Sequence, residues 1–151
     1  MNNYTSKNRH KYYLKAHLIF VCKYRKQLLK GDIDDTVKSC FSELAKQSKF
    51  DIDIMESDKD HIHLLISYSP DISITSIVRR SKQKSTHELW NNYSGFLTKH
   101  FWKEHTFWSD GYLCVLLERQ ILILYANILK IRVNGIHPID WRSMGFLPKI
   151  V

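Results

Sequence analysis

Two histidines one residue apart, His61 and His63, sit in the run Asp58-Lys59-Asp60-His61-Ile62-His63-Leu64-Leu65-Ile66. The run alternates as a strand does. Ile62, Leu64 and Ile66 fall on one face, and His61, His63 and Leu65 on the other. Strand residues two apart point the same way, about 7 Å apart along the chain. At that spacing two imidazoles can hold one metal ion between them. Asp58 and Asp60 lie just upstream, where a carboxylate can accept an imidazole N–H from behind. The plainer alternative is a pair of hydrogen-bonded histidines on a half-buried strand, because so short a motif carries either meaning.

The chain that must position this pair has 151 residues, enough for one domain with a real core. Lys and Arg number 23 against 15 Asp and Glu, a net charge of +8. With 13% aromatic residues, that excess fits a nucleic-acid partner: cations for phosphates, rings for unpaired bases. No apolar run is long enough to span a bilayer, and no secretory signal pattern is visible. Three cysteines, Cys22, Cys40 and Cys114, without a C-x-x-C pair, suit free thiols in a cytoplasmic protein.

Residues 1–11 are polar and basic and read as a flexible arm. Residues 12–22 alternate as a strand and lead into Lys23-Tyr24-Arg25-Lys26, three cations around one ring and a candidate DNA contact. Residues 32–48 predict a helix, with Asp32 or Asp34 as its cap and Ile33, Val37, Phe41, Leu44 and Ala45 as its apolar stripe. Residues 50–56 alternate again and pair with the histidine strand as an antiparallel hairpin. Pro70 ends that strand. A second helix begins at Ile72 and Ile74 and runs towards Trp90, with Arg79, Arg80, Lys82 and Lys84 along its expected exposed side. These four cations are the best candidate for a phosphate-backbone surface. Residues 91–106 look loop-like. Their rings, Tyr93, Phe96, Phe101 and Trp102, are free either to stack on bases or to fold over the core. A fourth strand is expected at Leu113–Leu117. The order strand, helix, strand, strand, helix, strand implies an α+β fold: a ferredoxin-like split β-α-β antiparallel sheet with both helices on one face.

Three stretches together resemble the IS200/IS605 single-tyrosine transposases, which are HUH endonucleases. They are residues 17–26, His17-Leu18-Ile19-Phe20-Val21-Cys22-Lys23-Tyr24-Arg25-Lys26; residues 58–65, from Asp58 through the two histidines; and Phe107-Trp108-Ser109-Asp110-Gly111-Tyr112. The resemblance covers roughly residues 10–112. It implies a homodimer in which His61 and His63 hold Mg²⁺ or Mn²⁺. It also implies a tyrosine that attacks single-stranded DNA beside a hairpin, giving a 5′-phosphotyrosine and a free 3′-OH. A glutamine four residues after that tyrosine often completes the metal site, since i and i+4 share a helix face.

Beyond Tyr112 the pattern stops. The tyrosine expected near position 128 is replaced by Asn127-Ile128, and the glutamine expected near 132 by Arg132. The nearest tyrosine is Tyr125, followed four residues later by Leu129, which cannot bind metal. As nucleophile, Tyr125 would sit on nearly the same helix face, displaced about 4.5 Å along the axis. Residues 134–151 form an atypical tail after a domain spanning 12–133. Codons exist for residues 113–135 that, read one base over, spell a strand, a glycine turn, a helix, a tyrosine and a glutamine four later, then a stop. A frame-shifted tail is therefore expected. Three functions follow: a working transposase, a catalytically impaired DNA-hairpin-binding relic, or, unrelated to the family, a small His-x-His metal phosphodiesterase.

Overall fold

The computed structural model describes residues 5–7, 10–12 and 14–117. Within the expected basic arm, the backbone of β1 (Thr5–Lys7) pairs antiparallel with β2 (His10–Tyr12). The main sheet comprises β3 (Lys15–Val21), β4 (Phe50–Asp58), β5 (His61–Tyr68) and β6 (Leu113–Leu117) in the order β4-β5-β3-β6, with every neighbour antiparallel. Helices α1 (Gly31–Lys46) and α2 (Ile74–Phe101) complete the split β-α-β order expected from the sequence.

The core lies between the helices and one sheet face. Ala16, Leu18 and Phe20 of β3 and Ile62, Leu64 and Ile66 of β5 supply that face, as their alternation requires. Val37, Phe41 and Leu44 of α1 and Ile77, Val78 and Leu89 of α2 pack against it. The opposite face is buried too: His17, Ile19, Val21, His61, His63 and Leu65 all lie inside. The expectation of a half-buried histidine strand is therefore corrected. β5 is one of the two central strands, and His61 through Ile66 are buried on both faces.

Two further expectations change. Helix α1 starts one residue early, at Gly31, after a Lys30 cap position that makes no side-chain bond. Asp32 and Asp34 thus lie in the first turn, where their charge favours the helix dipole, and do not cap it. The loop expected at 91–106 is largely helix, because α2 continues to Phe101 through a kink at Tyr93. Ser73 caps its start by accepting the Ser76 N–H at 3.1 Å. Residues 91–95, Asn-Asn-Tyr-Ser-Gly, are weak helix formers, but Leu97 and Phe101 prolong the buried stripe, and packing outweighs propensity.

After α2 the chain turns at Trp102 and runs back along β3. Lys23 N–H donates to the Phe107 carbonyl (2.8 Å) and Ser109 N–H to the Val21 carbonyl (2.9 Å). Trp108 packs against both Phe20 and Phe41 of the core, and Phe107 packs edge-on against Trp108 and Phe101. The indole N–H of Trp108 donates to the buried Ser85 hydroxyl at 2.9 Å.

Candidate metal centre and nucleic-acid surface

The hairpin of β4 and β5 brings His61 and His63 together at its turn end, with their ring centroids 4.7 Å apart and their planes nearly perpendicular. His61 Nδ1 lies 2.6 Å from Asp60 Oδ1. A carboxylate only accepts, so Nδ1 carries a proton, and in the neutral ring Nε2 carries the lone pair. That Nε2 is buried and has no hydrogen-bond partner among the described residues, an unfilled acceptor of the kind a cation satisfies. Of the two aspartates, Asp60 thus meets its histidine. The Asp58 carboxylate closes the hairpin turn by accepting the Lys59 N–H at 2.8 Å.

A third histidine belongs to this cluster, and sequence spacing did not find it. His17 of β3 is fully buried, with Nε2 3.3 Å from His63 Nδ1. The register explains the meeting. His63 stands opposite Ile19 and His17 opposite Leu65, so the two imidazoles are diagonal neighbours across the central strand pair, within reach of ring-sized side chains. Burial lowers the His17 pKa to about 4, leaving the ring neutral near pH 7. Among the described residues, no three His, Cys, Asp or Glu side chains are placed to ligate one ion. Two imidazoles fit a divalent cation, with further positions open to other ligands. Tyr125, Asn127, Ile128 and Arg132, with the atypical tail, lie outside the described residues.

The Lys23-Tyr24-Arg25 segment adjoins the same cluster. It forms a single 3₁₀ turn in which Tyr24 and Arg25 have φ of 59° and 53°, a left-handed conformation strained for both. Cys22 N–H donates to the Asp60 carbonyl at 2.9 Å and Leu29 N–H to the Lys59 carbonyl at 3.0 Å, so this turn and the histidine hairpin are laced together. Arg25 Nε lies 4.0 Å from Asp60 Oδ2, so one carboxylate faces both the guanidinium and His61. Tyr24 is 62% exposed, and its hydroxyl donates to Glu104 at 3.2 Å. Lys23 meets the same glutamate at 3.3 Å, and that bond raises its pKa.

The four cations of α2 do not share one exposed side, which corrects the sequence expectation. Arg79 is exposed and Arg80 partly so. Lys84 reaches across to Glu43 of α1 at 3.4 Å. Lys82 turns inward. Its amine donates to the carbonyls of Ser109 (2.8 Å) and Gly111 (2.9 Å) and sits over the Phe20 and Tyr112 rings. Burial draws its pKa down to about 8. The rings expected at 91–106 divide as well: Phe101 is core and Tyr93 bonds Thr36, whereas Phe96 and Trp102 are exposed. A groove of about 680 Å³ opens between α2 and the 105–110 segment, walled by the stacked Trp90 and His105 rings, and neither metal-candidate histidine lines it.

Comparison with known proteins bears directly on this arrangement. The family model described as "Transposase IS200 like" matches residues 10–124. The ISDra2 transposase TnpA of Deinococcus radiodurans is 33% identical over 105 residues, which cover 70% of this chain and 73% of that one. The transposase for insertion sequence element IS200 of Salmonella typhimurium is 31% identical over 98 residues, covering 65% of this chain and 63% of its own length. The crystal structure of a putative transposase from Deinococcus radiodurans superposes with a TM-score of 0.68 at 21% identity, covering 83% of this chain and 95% of that one. A REP-associated tyrosine transposase bound to a REP hairpin gives 0.60 at 15% identity, covering 95% and 89%. At those identities the two superpositions speak for the fold.

Proposed function

The chain belongs to the IS200-like transposase family, and from that premise we propose that it cleaves and rejoins single-stranded DNA in a metal-dependent reaction, recognising its substrate through hairpins. The observation that carries the reading is the His61–His63 pair, with Asp60 holding His61 so that its Nε2 lone pair is unfilled. A bound Mg²⁺ or Mn²⁺ would polarise a DNA phosphate there. The hydroxyl of Tyr125 is the candidate nucleophile. A bond forms from its oxygen to phosphorus while the bond to the departing 3′-oxygen breaks, and the phenolic proton ends on that oxygen as a 3′-OH. The resulting phosphotyrosine conserves bond energy, so rejoining needs no ATP. Lys23, Tyr24, Arg25, Arg79, Arg80, Lys82 and Lys84 are the proposed DNA-contacting set. Within it, the exposure of Arg79 and Tyr24 supports direct contact with DNA, and the bonds of Lys82 to the 109–111 carbonyls support an indirect part. The relative solved with a hairpin, and the +8 charge, support a DNA partner. The working form is a homodimer in this reading, and among the described residues no helix is long and apolar enough to cross a membrane.

A second reading rests on the sequence itself. Ile128 and Arg132 stand where the family resemblance places a tyrosine and a glutamine, which favours a chain that binds hairpin DNA and has lost strand transfer. One experiment separates the two. Labelled hairpin-bearing single-stranded DNA is mixed with the protein and Mn²⁺, then resolved on a denaturing gel. A covalent protein–DNA band that vanishes in Tyr125→Phe supports the transposase. Binding without such a band supports the relic. Turnover of small phosphodiesters, unaffected by Arg79→Ala with Arg80→Ala, would overturn both in favour of a phosphodiesterase.

A further inference from the structure

His17 lies outside the His-x-His motif, yet its contact with His63 has the geometry of a tautomer lock. The two rings are nearly parallel, 7° apart, with centroids separated by 5.4 Å and Nε2 to Nδ1 by 3.3 Å. Rings stacked face to face at that nitrogen contact would bring their centroids far closer. Here the centroid distance is nearly the nitrogen contact plus one ring radius at each end. The rings therefore meet edge to edge in almost one plane, where the lone pair of one nitrogen faces the N–H of the other. One must donate and the other accept. If His63 Nδ1 donates, its Nε2 bears the lone pair. If His17 donates, His63 Nε2 carries a proton and cannot ligate a metal.

Asp60 imposes the first arrangement on His61 by a 2.6 Å bond. We propose that His17 does the same for His63: its Nε2 accepts the His63 Nδ1–H, which makes His17 a positioning residue that turns the second imidazole's lone pair to the ion. The two ligands then have different anchors, a carboxylate from the hairpin turn and a neutral imidazole from the neighbouring strand. The inference rests on the metal-dependent reading above and adds to it a residue from β3. Outer partners of this kind typically govern metal affinity by about 10- to 100-fold.

The test uses the full chain and Mn²⁺ alone, titrated by electron paramagnetic resonance, beside ¹⁵N spectra of the histidine rings recorded with and without Mg²⁺. His17→Phe is expected to weaken Mn²⁺ binding about 10- to 100-fold, and His17→Gln to recover part of it, because its side-chain carbonyl can accept the same N–H. The wild-type spectra are expected to show His63 protonated at Nδ1 and bare at Nε2. A merely structural His17 would lower the melting temperature of the variants without moving the His63 ring signals. Unchanged Mn²⁺ affinity in His17→Phe, with binding still abolished by His61→Ala, would overturn the role of His17 and leave the metal site standing. A His63 ring protonated at Nε2 with Mg²⁺ present would overturn it even if both His17 variants fail to fold. Wild-type protein that binds no Mn²⁺ at all would instead remove the metal reading, and this one with it.

Discussion

Single side chains here are held by partners that their own sequence neighbourhood does not announce. Lys82 looks like one of four surface cations, yet its amine fastens the turn that leads into β6. Lys82→Met keeps the stem and removes the donor, leaving carbonyls of residues 109–111 without it. A loss of about 1–3 kcal/mol is expected, read as a lower urea midpoint. Cys22 is fully buried between β3 and the Lys23 turn, and burial pushes its thiol from an ordinary value near 9 up to about 12. The folded pKa lies above the unfolded one, so the stability this neutral thiol contributes is present below about pH 9 and is lost as pH rises towards 12. Two outcomes follow: Cys22 resists iodoacetamide at pH 8 until the chain unfolds, and Cys22→Ala flattens the alkaline decline of the melting temperature. His61, His63 and the adjacent Asp60 were legible in the sequence because their contacts are local and follow the strand's period of two. His17 was not, since no spacing reveals a diagonal neighbour on a strand 46 residues away.

At the scale of elements, alternation located three strands of the main sheet, the turn at 107–112 pointed to the fourth, Leu113–Leu117, and the 3.6-residue stripe located α1. Helix α2 was legible only to Trp90. Its last roughly three turns contain Asn91, Asn92 and Gly95, whose propensity argues against helix, and the tertiary burial of Leu97 and Phe101 holds them. That gives a direct check. Leu97→Ala is expected to cost about 2–5 kcal/mol in chemical denaturation, the penalty of a cavity in a packed core, whereas a surface loop would tolerate it within about 0.5 kcal/mol. The same packing explains why only half of the aromatic cluster stays accessible. The kink at Tyr93 places its hydroxyl 3.1 Å from Thr36 of α1, while Phe96 and Trp102 remain outside.

For the whole molecule, the +8 charge sets how binding responds to salt. Affinity for hairpin-bearing single-stranded DNA is expected to fall linearly on a log–log plot. Arg79→Ala with Arg80→Ala should lower the slope by about 1–2 and weaken unrelated sequences equally, as phosphate contacts do. An unchanged slope in fluorescence anisotropy would place the DNA elsewhere. The overall topology was readable because the order of elements admits few sheet arrangements. The expectations for residues 118–151, Tyr125 among them, rest on sequence alone. The sheet order also dictates when the site can come into being. The hairpin of β4 and β5 is contiguous, so His61, His63 and Asp60 assemble early and cheaply. His17 joins them only when β3 closes a 46-residue separation, an entropic cost on the order of 3 kcal/mol. On the proposed metal reading, ligation by His61 would be prepared by local folding, and ligation by His63 would wait on the sheet's centre. A folding chain would acquire its full grip on a cation in two strokes, and the second would report that the sheet has closed.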